Sequence, residues 1–153
     1  MKMQTFDHDY VDELVQRLRA LPKDTRPGWG SLTPAGMVRH LTNLVRYSMG
    51  RTGKLPFAGN WFSRHIIGPL ILNGIVPMPR NVKVRGQDMG LERLAPLAGE
   101  IETFHAVLEE YLDAVQSGAL RPETHPYFGD LSVDGWAKCH VVHIEHHMRQ
   151  FGA

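Results

Sequence analysis

The sequence predicts an all-α fold, a four-helix bundle with an irregular insertion between its second and third helices. Three observations predict it. Apolar residues recur at spacings of three and four in four separate stretches. Those stretches are bounded by cap residues, Gly or Pro. Strand-like alternation is confined to one short run, Val82-Lys83-Val84-Arg85. At 153 residues, with 42% hydrophobic and 22% charged side chains, the chain has the size and composition of one globular domain spanning 1–153.

The first helix is expected from about Asp7 to Leu21, where Tyr10, Val11, Leu14, Val15, Leu18 and Leu21 form an apolar stripe. Asp12, Glu13, Arg17 and Arg19 occupy the opposite face, and Pro22 followed by Pro27-Gly28-Trp29-Gly30 ends the helix in a loop. The second starts with Thr33 as N-cap and Pro34 in the first helical position, where a missing N–H costs nothing. Met37, His40, Leu41, Leu44, Val45 and Ser48 share one face, and Gly50 and Gly53 close it.

From Arg51 to Gly90 the periodicity loosens. Trp61 to Asn73 reads as one or two short helices interrupted at Gly68-Pro69, followed by Pro77-Met78-Pro79. Irregular insertions of this length commonly form lids or oligomer contacts. A third long helix is expected from Leu91 or Glu100 to Ser117, with Ile101, Phe104, Leu108, Tyr111, Leu112 and Val115 on its apolar stripe and Gly118 after it. The last begins near Ser132 or Val133 and runs towards Phe151.

Charge excludes one class of partner. Lys and Arg number 17 against 16 Asp and Glu, so the net charge of +1 lacks the basic footprint of a nucleic-acid binder. Arg80, Lys83 and Arg85, the densest basic group, read as a solvated loop or edge strand rather than a phosphate-contacting arm. One cysteine, Cys139, precludes an intramolecular disulfide and suits a reducing compartment. The first residues show no signal-peptide pattern, and the longest apolar run, Ile66 to Val76, is about half the ~20 residues a membrane span needs. A cytoplasmic location with no membrane partner is the expectation. That same apolar run is hard to cover within one small bundle, which points to a homodimer.

Histidine spacing carries the functional signal. Of nine histidines, four fall at His140, His143, His146 and His147. On a helix His143 and His147 project from one face, one turn apart, so both imidazoles can bind one ion. A further ligand has to come from a facing helix, and His40, set among Met37, Leu41 and Leu44, is best placed. The same residues are open to a plainer reading as hydrogen-bonded core histidines or a solvated helix end. Cys139, one turn before His143, reads as a small buried hydrophobe before it reads as a metal neighbour.

The segment His143-Ile144-Glu145-His146-His147-Met148-Arg149-Gln150-Phe151-Gly152 resembles the C-terminal signature of the DinB-like superfamily of metal-dependent enzymes, in which a histidine and a His-His doublet precede an arginine and a glutamine. His125-Pro126-Tyr127-Phe128-Gly129-Asp130-Leu131-Ser132, followed by Trp136, resembles one branch of it. Leu32 to Leu41 is similar to the superfamily's second-helix motif. The resemblance implies an up-down-down-up bundle with a divalent metal held by His40, His143 and His147; three imidazoles suit Zn and Ni about equally well. It implies that His146 points elsewhere and that Arg149 and Gln150 support the site. Residues 51–90 have no counterpart in it.

Three protein ligands leave coordination positions open, which favours catalysis over a closed structural site. An open position can activate water or a thiol. The resemblance adds thiol-dependent transferases acting on electrophiles with bacillithiol, mycothiol or glutathione. The leading expectation is therefore a metal-dependent thiol S-transferase, or related detoxification chemistry, on a small-molecule substrate. A metal-dependent hydrolase is second; it needs a general base, and Glu145 faces away while Glu102 or Glu109 on the third helix are alternatives. A non-enzymatic metal- or ligand-binding stress-response bundle is third. Trp29, Phe57, Trp61 and Tyr127 are candidate pocket aromatics that read first as packing residues.

Overall fold

The computed structural model describes residues 4–80 and 93–153. Its order is α1 (His8–Ala20), α2 (Pro34–Ser48), a π-helical turn (Ser63–Ile67) running into α3 (Gly68–Leu72), α4 (Leu97–Gln116) and α5 (Val133–Gln150). Among the described residues the regular structure is entirely helical, with one isolated antiparallel bridge between His125 and Gly129. No helix among them is long and apolar enough to cross a membrane.

Each long helix begins where local chemistry asks for it, except that α4 starts after Pro96 without a side-chain cap. Asp7 accepts from the Tyr10 amide at 2.9 Å, Thr33 from the Gly36 amide at 3.1 Å and Ser132 from the Gly135 amide at 3.0 Å. These bonds satisfy donors that a helix start leaves orphaned. The insertion uses the same device. Asn60 and Ser63 cap one another reciprocally, at 2.9 and 2.8 Å, and a π turn follows directly. Pro69 has no N–H for the carbonyl four residues before it, and the widened turn lies immediately ahead of it. The Gly68-Pro69 interruption expected from sequence is therefore a change of helical pitch rather than a break. Gly68 is required there by space, since a Cβ would meet the Ser63 carbonyl at 2.9 Å.

The core draws on all four long helices. Leu14 and Leu18 of α1, Met37 and Leu41 of α2, Phe104 and Leu108 of α4, and Ile144 and Met148 of α5 are buried together. α4 packs against both α1 and α2, and α5 against α2 and α3. A second, smaller cluster gathers Tyr47, Leu72, Trp136 and Cys139, roofed by Phe128 and Leu131. α1 is tied to α5 by Glu145, which accepts from Tyr10 Oη at 2.9 Å and from both Arg17 guanidinium nitrogens at 2.9 and 3.1 Å.

Two expectations need correction. The third long helix starts at Leu97, between the two starts offered, because Pro96 marks its boundary. Phe57 and Trp61, read as packing residues, are 48% and 68% exposed, since the insertion turns them outward. Val82 to Arg85, with Lys83 and Arg85 of the basic group, lies outside the described residues. Arg80 lies inside them, with its guanidinium 4.0 Å over the Trp29 ring, a cation–π contact.

Candidate metal centre

The α2–α5 contact brings His40 to the two C-terminal histidines. Met37, Val38, Leu41 and Val45 bury one face of α2, and Val141, Ile144 and Met148 bury one face of α5. His40 on one helix and His143 and His147 on the other occupy the adjoining faces. His40 Nε2 lies 2.9 Å from His143 Nε2, and the three ring centroids are mutually 4.8 Å apart. One donor nitrogen from each ring falls within 4.8 Å of the others, so the group can hold a metal ion. Three imidazole nitrogens are a donor set that would suit zinc or another divalent ion of that class.

The hydrogen bonds decide which nitrogen of His147 is available. The Trp29 carbonyl only accepts, so the Gln150 amide nitrogen faces it at 2.8 Å. Gln150 Oε1 therefore faces His147 Nδ1, at 2.6 Å, and Nδ1 carries the proton. That leaves the His147 Nε2 lone pair free for the cluster, as a ligand nitrogen requires. The Gly28 amide donates to the Gln150 carbonyl at 2.6 Å and fixes the same residue from the backbone side. His40 Nδ1 is buried without a hydrogen-bond partner among the described residues. A ring kept despite that uncompensated cost fits a side chain retained for its other nitrogen.

All three rings are held neutral. Burial, reinforced by the neighbouring imidazoles, pushes His40 down to about 3 and holds His143 well below the ordinary histidine range. His147 is lowered by burial against the opposing pull of its bond to Gln150. Neutral imidazole is the metal-binding form. Replacing Gln150 with Leu keeps the volume but frees the His147 ring. Metal affinity of the Gln150→Leu variant should fall by about 10- to 100-fold, measured by competition with a chromophoric chelator.

The triad forms part of the wall of a cavity of about 670 Å³. Leu44, Leu55, Ile67, Ile71 and Met78 give it an apolar lining, with Trp29 and Tyr127 among its aromatics. Of the four candidate aromatics, these two reach the cavity. His146, expected to point elsewhere, is not one of the three histidines whose donor nitrogens converge. It nevertheless lines the same cavity, packed on Trp29 at 5.4 Å and lowered by burial to about 4. Cys139 also reaches the cavity wall, but burial pushes its thiol up to about 12, which keeps it protonated.

The remaining candidates are engaged elsewhere. Glu102 pairs with Arg19, Glu109 with His8 and His105, and Glu145 with Arg17. Arg149 is exposed, whereas its neighbour Gln150 is buried in the site. His140 faces the core, donating from Nε2 to Ser48 Oγ at 2.9 Å, because that hydroxyl already donates to the Val45 carbonyl. Sequence reasoning missed His125, which lies in a loop yet lines the cavity. Its position in the His-Pro-Tyr-Phe-Gly stretch was the available signal. A second group, Asp12, His105 and Glu109, also has donors within 4.8 Å of one another. It lies on the α1–α4 surface, where the Glu109 carboxylate is shared by the side chains of His8 and His105.

Regular structure that is helical throughout the described residues, with imidazoles converging on a largely apolar cavity, defines a helical protein with a candidate metal centre. The chain belongs to the family described as "Protein of unknown function (DUF1569)", which matches residues 1–153. No curated protein and no solved structure matches it.

Proposed function

We propose that this protein is a metal-dependent enzyme of the thiol S-transferase kind, or of related detoxification chemistry, with His40, His143 and His147 as ligands for Zn or Ni. The observation that carries this reading is the convergence of three neutral imidazoles in the wall of a mostly apolar cavity. A divalent ion held there supplies Lewis-acid activation of a thiol at its remaining positions. Gln150 holds His147 in the ligating tautomer. Leu44, Ile67, Ile71 and Met78 receive an apolar electrophile and exclude water around it. The hydrolase reading is weaker, because Glu102 and Glu145 pair with Arg19 and Arg17, and Glu109 is engaged by His8 and His105, all outside the cavity lining.

Support for a DinB-like, up-down-down-up four-helix bundle comes from the main core cluster, which α1, α2, α4 and α5 share. The exposed Phe57, Trp61, Phe62 and Ile75 favour a homodimer that covers them. Buried, unpaired Cys139 is compatible with the cytoplasm.

The test is thioether formation by Zn- or Ni-loaded protein from a nitro-activated aryl chloride, 1-chloro-2,4-dinitrobenzene, and, in separate reactions, glutathione, mycothiol and bacillithiol. Sulfur forms the new C–S bond, chloride leaves with its electron pair, and the thiol proton passes to buffer. Turnover by the loaded wild type, abolished by chelation and in His143→Ala, is the expected result. A loaded protein inert with all three thiols would overturn the transferase reading and favour the non-enzymatic binder.

A further inference from the structure

One cavity residue is built with more care than packing requires. His125 opens a turn closed on itself: its N–H donates to the Gly129 carbonyl at 2.8 Å and the Gly129 N–H returns to the His125 carbonyl at 3.0 Å. Gly129 has φ +75°, a left-handed backbone conformation that favours glycine. The insertion pins the turn from outside. Ala58 and Gly59 donate to the Pro126 carbonyl at 2.8 and 3.2 Å, and Ser63 Oγ donates to the Tyr127 carbonyl at 3.0 Å.

Within the turn, the backbone amides of Tyr127 and Phe128 both donate to His125 Nδ1, each at 3.1 Å. A ring nitrogen that accepts carries no proton, so the neutral imidazole holds its proton on Nε2. The ring is stacked on Phe128, with centroids 4.4 Å apart and planes at 10°, and is tilted against Trp136 at 5.2 Å. Trp136 is itself anchored by Nε1–H donating to the Glu123 carbonyl at 2.8 Å. His125 lines the cavity, and its Nε2 is neither bonded nor sealed off among the described residues.

We propose that His125 is a specificity-determining hydrogen-bond donor, presenting Nε2–H to the carbonyl-type oxygen of a small, uncharged, otherwise apolar substrate. This rests on reading the cavity as the substrate site. The donor is preorganised: two amides set the tautomer, and two aromatic rings hold the plane. The aliphatic lining supplies affinity for the apolar body, and the single N–H selects its orientation. Burial pushes His125 down to about 3, so the donor form persists across the neutral range.

Two measurements test this. Acetylnaphthalene and ethylnaphthalene, a ketone and a hydrocarbon of similar shape, are titrated by tryptophan quenching into Zn-loaded and metal-stripped protein. The wild type should bind the ketone about fivefold more tightly in both metal states. In His125→Asn the Oδ1 can still accept from the two amides, while the remaining donor, Nδ2–H2, sits near the place of the ring Cδ2 and stops short of the Nε2 position, so the preference should fall to about one with hydrocarbon binding retained. Equal affinities in the wild type, no binding of either probe, or a preference surviving in His125→Asn overturns the proposal. Ring-nitrogen chemical shifts of His125 in the wild type provide the second test and need no variant; a proton found on Nδ1 also overturns it. The metal-stripped arm keeps a failure here separate from a failure of metal binding.

Discussion

His40→Ala, His143→Ala and His147→Ala will each lower affinity for Zn or Ni by on the order of 100-fold or more, because each removes one of three ligands. His146→Ala will retain near-stoichiometric metal, since His146 lies outside the group whose donors converge. The effect extends to stability. An ion that binds only the folded state at 100 times its dissociation constant adds about 2.7 kcal/mol, so the wild type should melt at higher temperature with metal than with chelator. The three ligand variants should lose that increment and His146→Ala should keep it. Elemental analysis of untagged protein and paired melts read both effects. A wild type that takes up no metal after reconstitution would refute the site, leaving the three rings as core histidines.

Acidification will destabilise the metal-free protein steeply between pH 7 and pH 5, through histidines outside the triad. Burial pushes His125 and His140 down to about 3 each. In the unfolded chain both titrate near 6.5, so as pH falls through that value only the unfolded state gains protons. Stability is therefore lost from about pH 7 downward, and the loss continues until the folded rings protonate near pH 3. Between pH 7 and pH 5 this amounts to about 2 kcal/mol per histidine, or about 4 kcal/mol for the pair. That is a large share of the roughly 5–15 kcal/mol a domain possesses. His40 and His143, also lowered by burial, act in the same direction once the ion is removed.

His140→Gln isolates one contribution. Its amide can still donate to Ser48 Oγ, but it does not titrate. Urea denaturation in chelator at both pH values should show a pH-dependent loss smaller by about 2 kcal/mol than in the wild type. An unchanged loss would mean that the folded chain tolerates a charged ring at this position.

Much of the helical frame was legible because its signals are local. Thr33-Pro34 and Ser132 mark the starts of α2 and α5 through bonds to amides three residues on. Spacings of three and four placed Leu14, Met37 and Phe104 on inward stripes, and all three are buried. The insertion was less legible. Its apolar residues divide between Ile71, which is buried, and Trp61, which is exposed, and nothing in the alternation separates the two.

For the site, the helical period alone determined that His143 and His147 share a face, since four residues make about one turn. It could not decide which helix lies opposite, because that depends on side-chain packing between segments a hundred residues apart. The α2–α5 contact settled it by bringing His40 Nε2 to 2.9 Å from His143 Nε2. The same holds for the bonds that assign protons. Gln150 orients His147 because the Trp29 carbonyl claims its amide nitrogen, and His125 presents Nε2 because its own turn consumes Nδ1. Spacing along the chain specifies which side chains point the same way. Which of them meet, and through which atom, is decided only when the core packs, because helix packing sets the distances between elements.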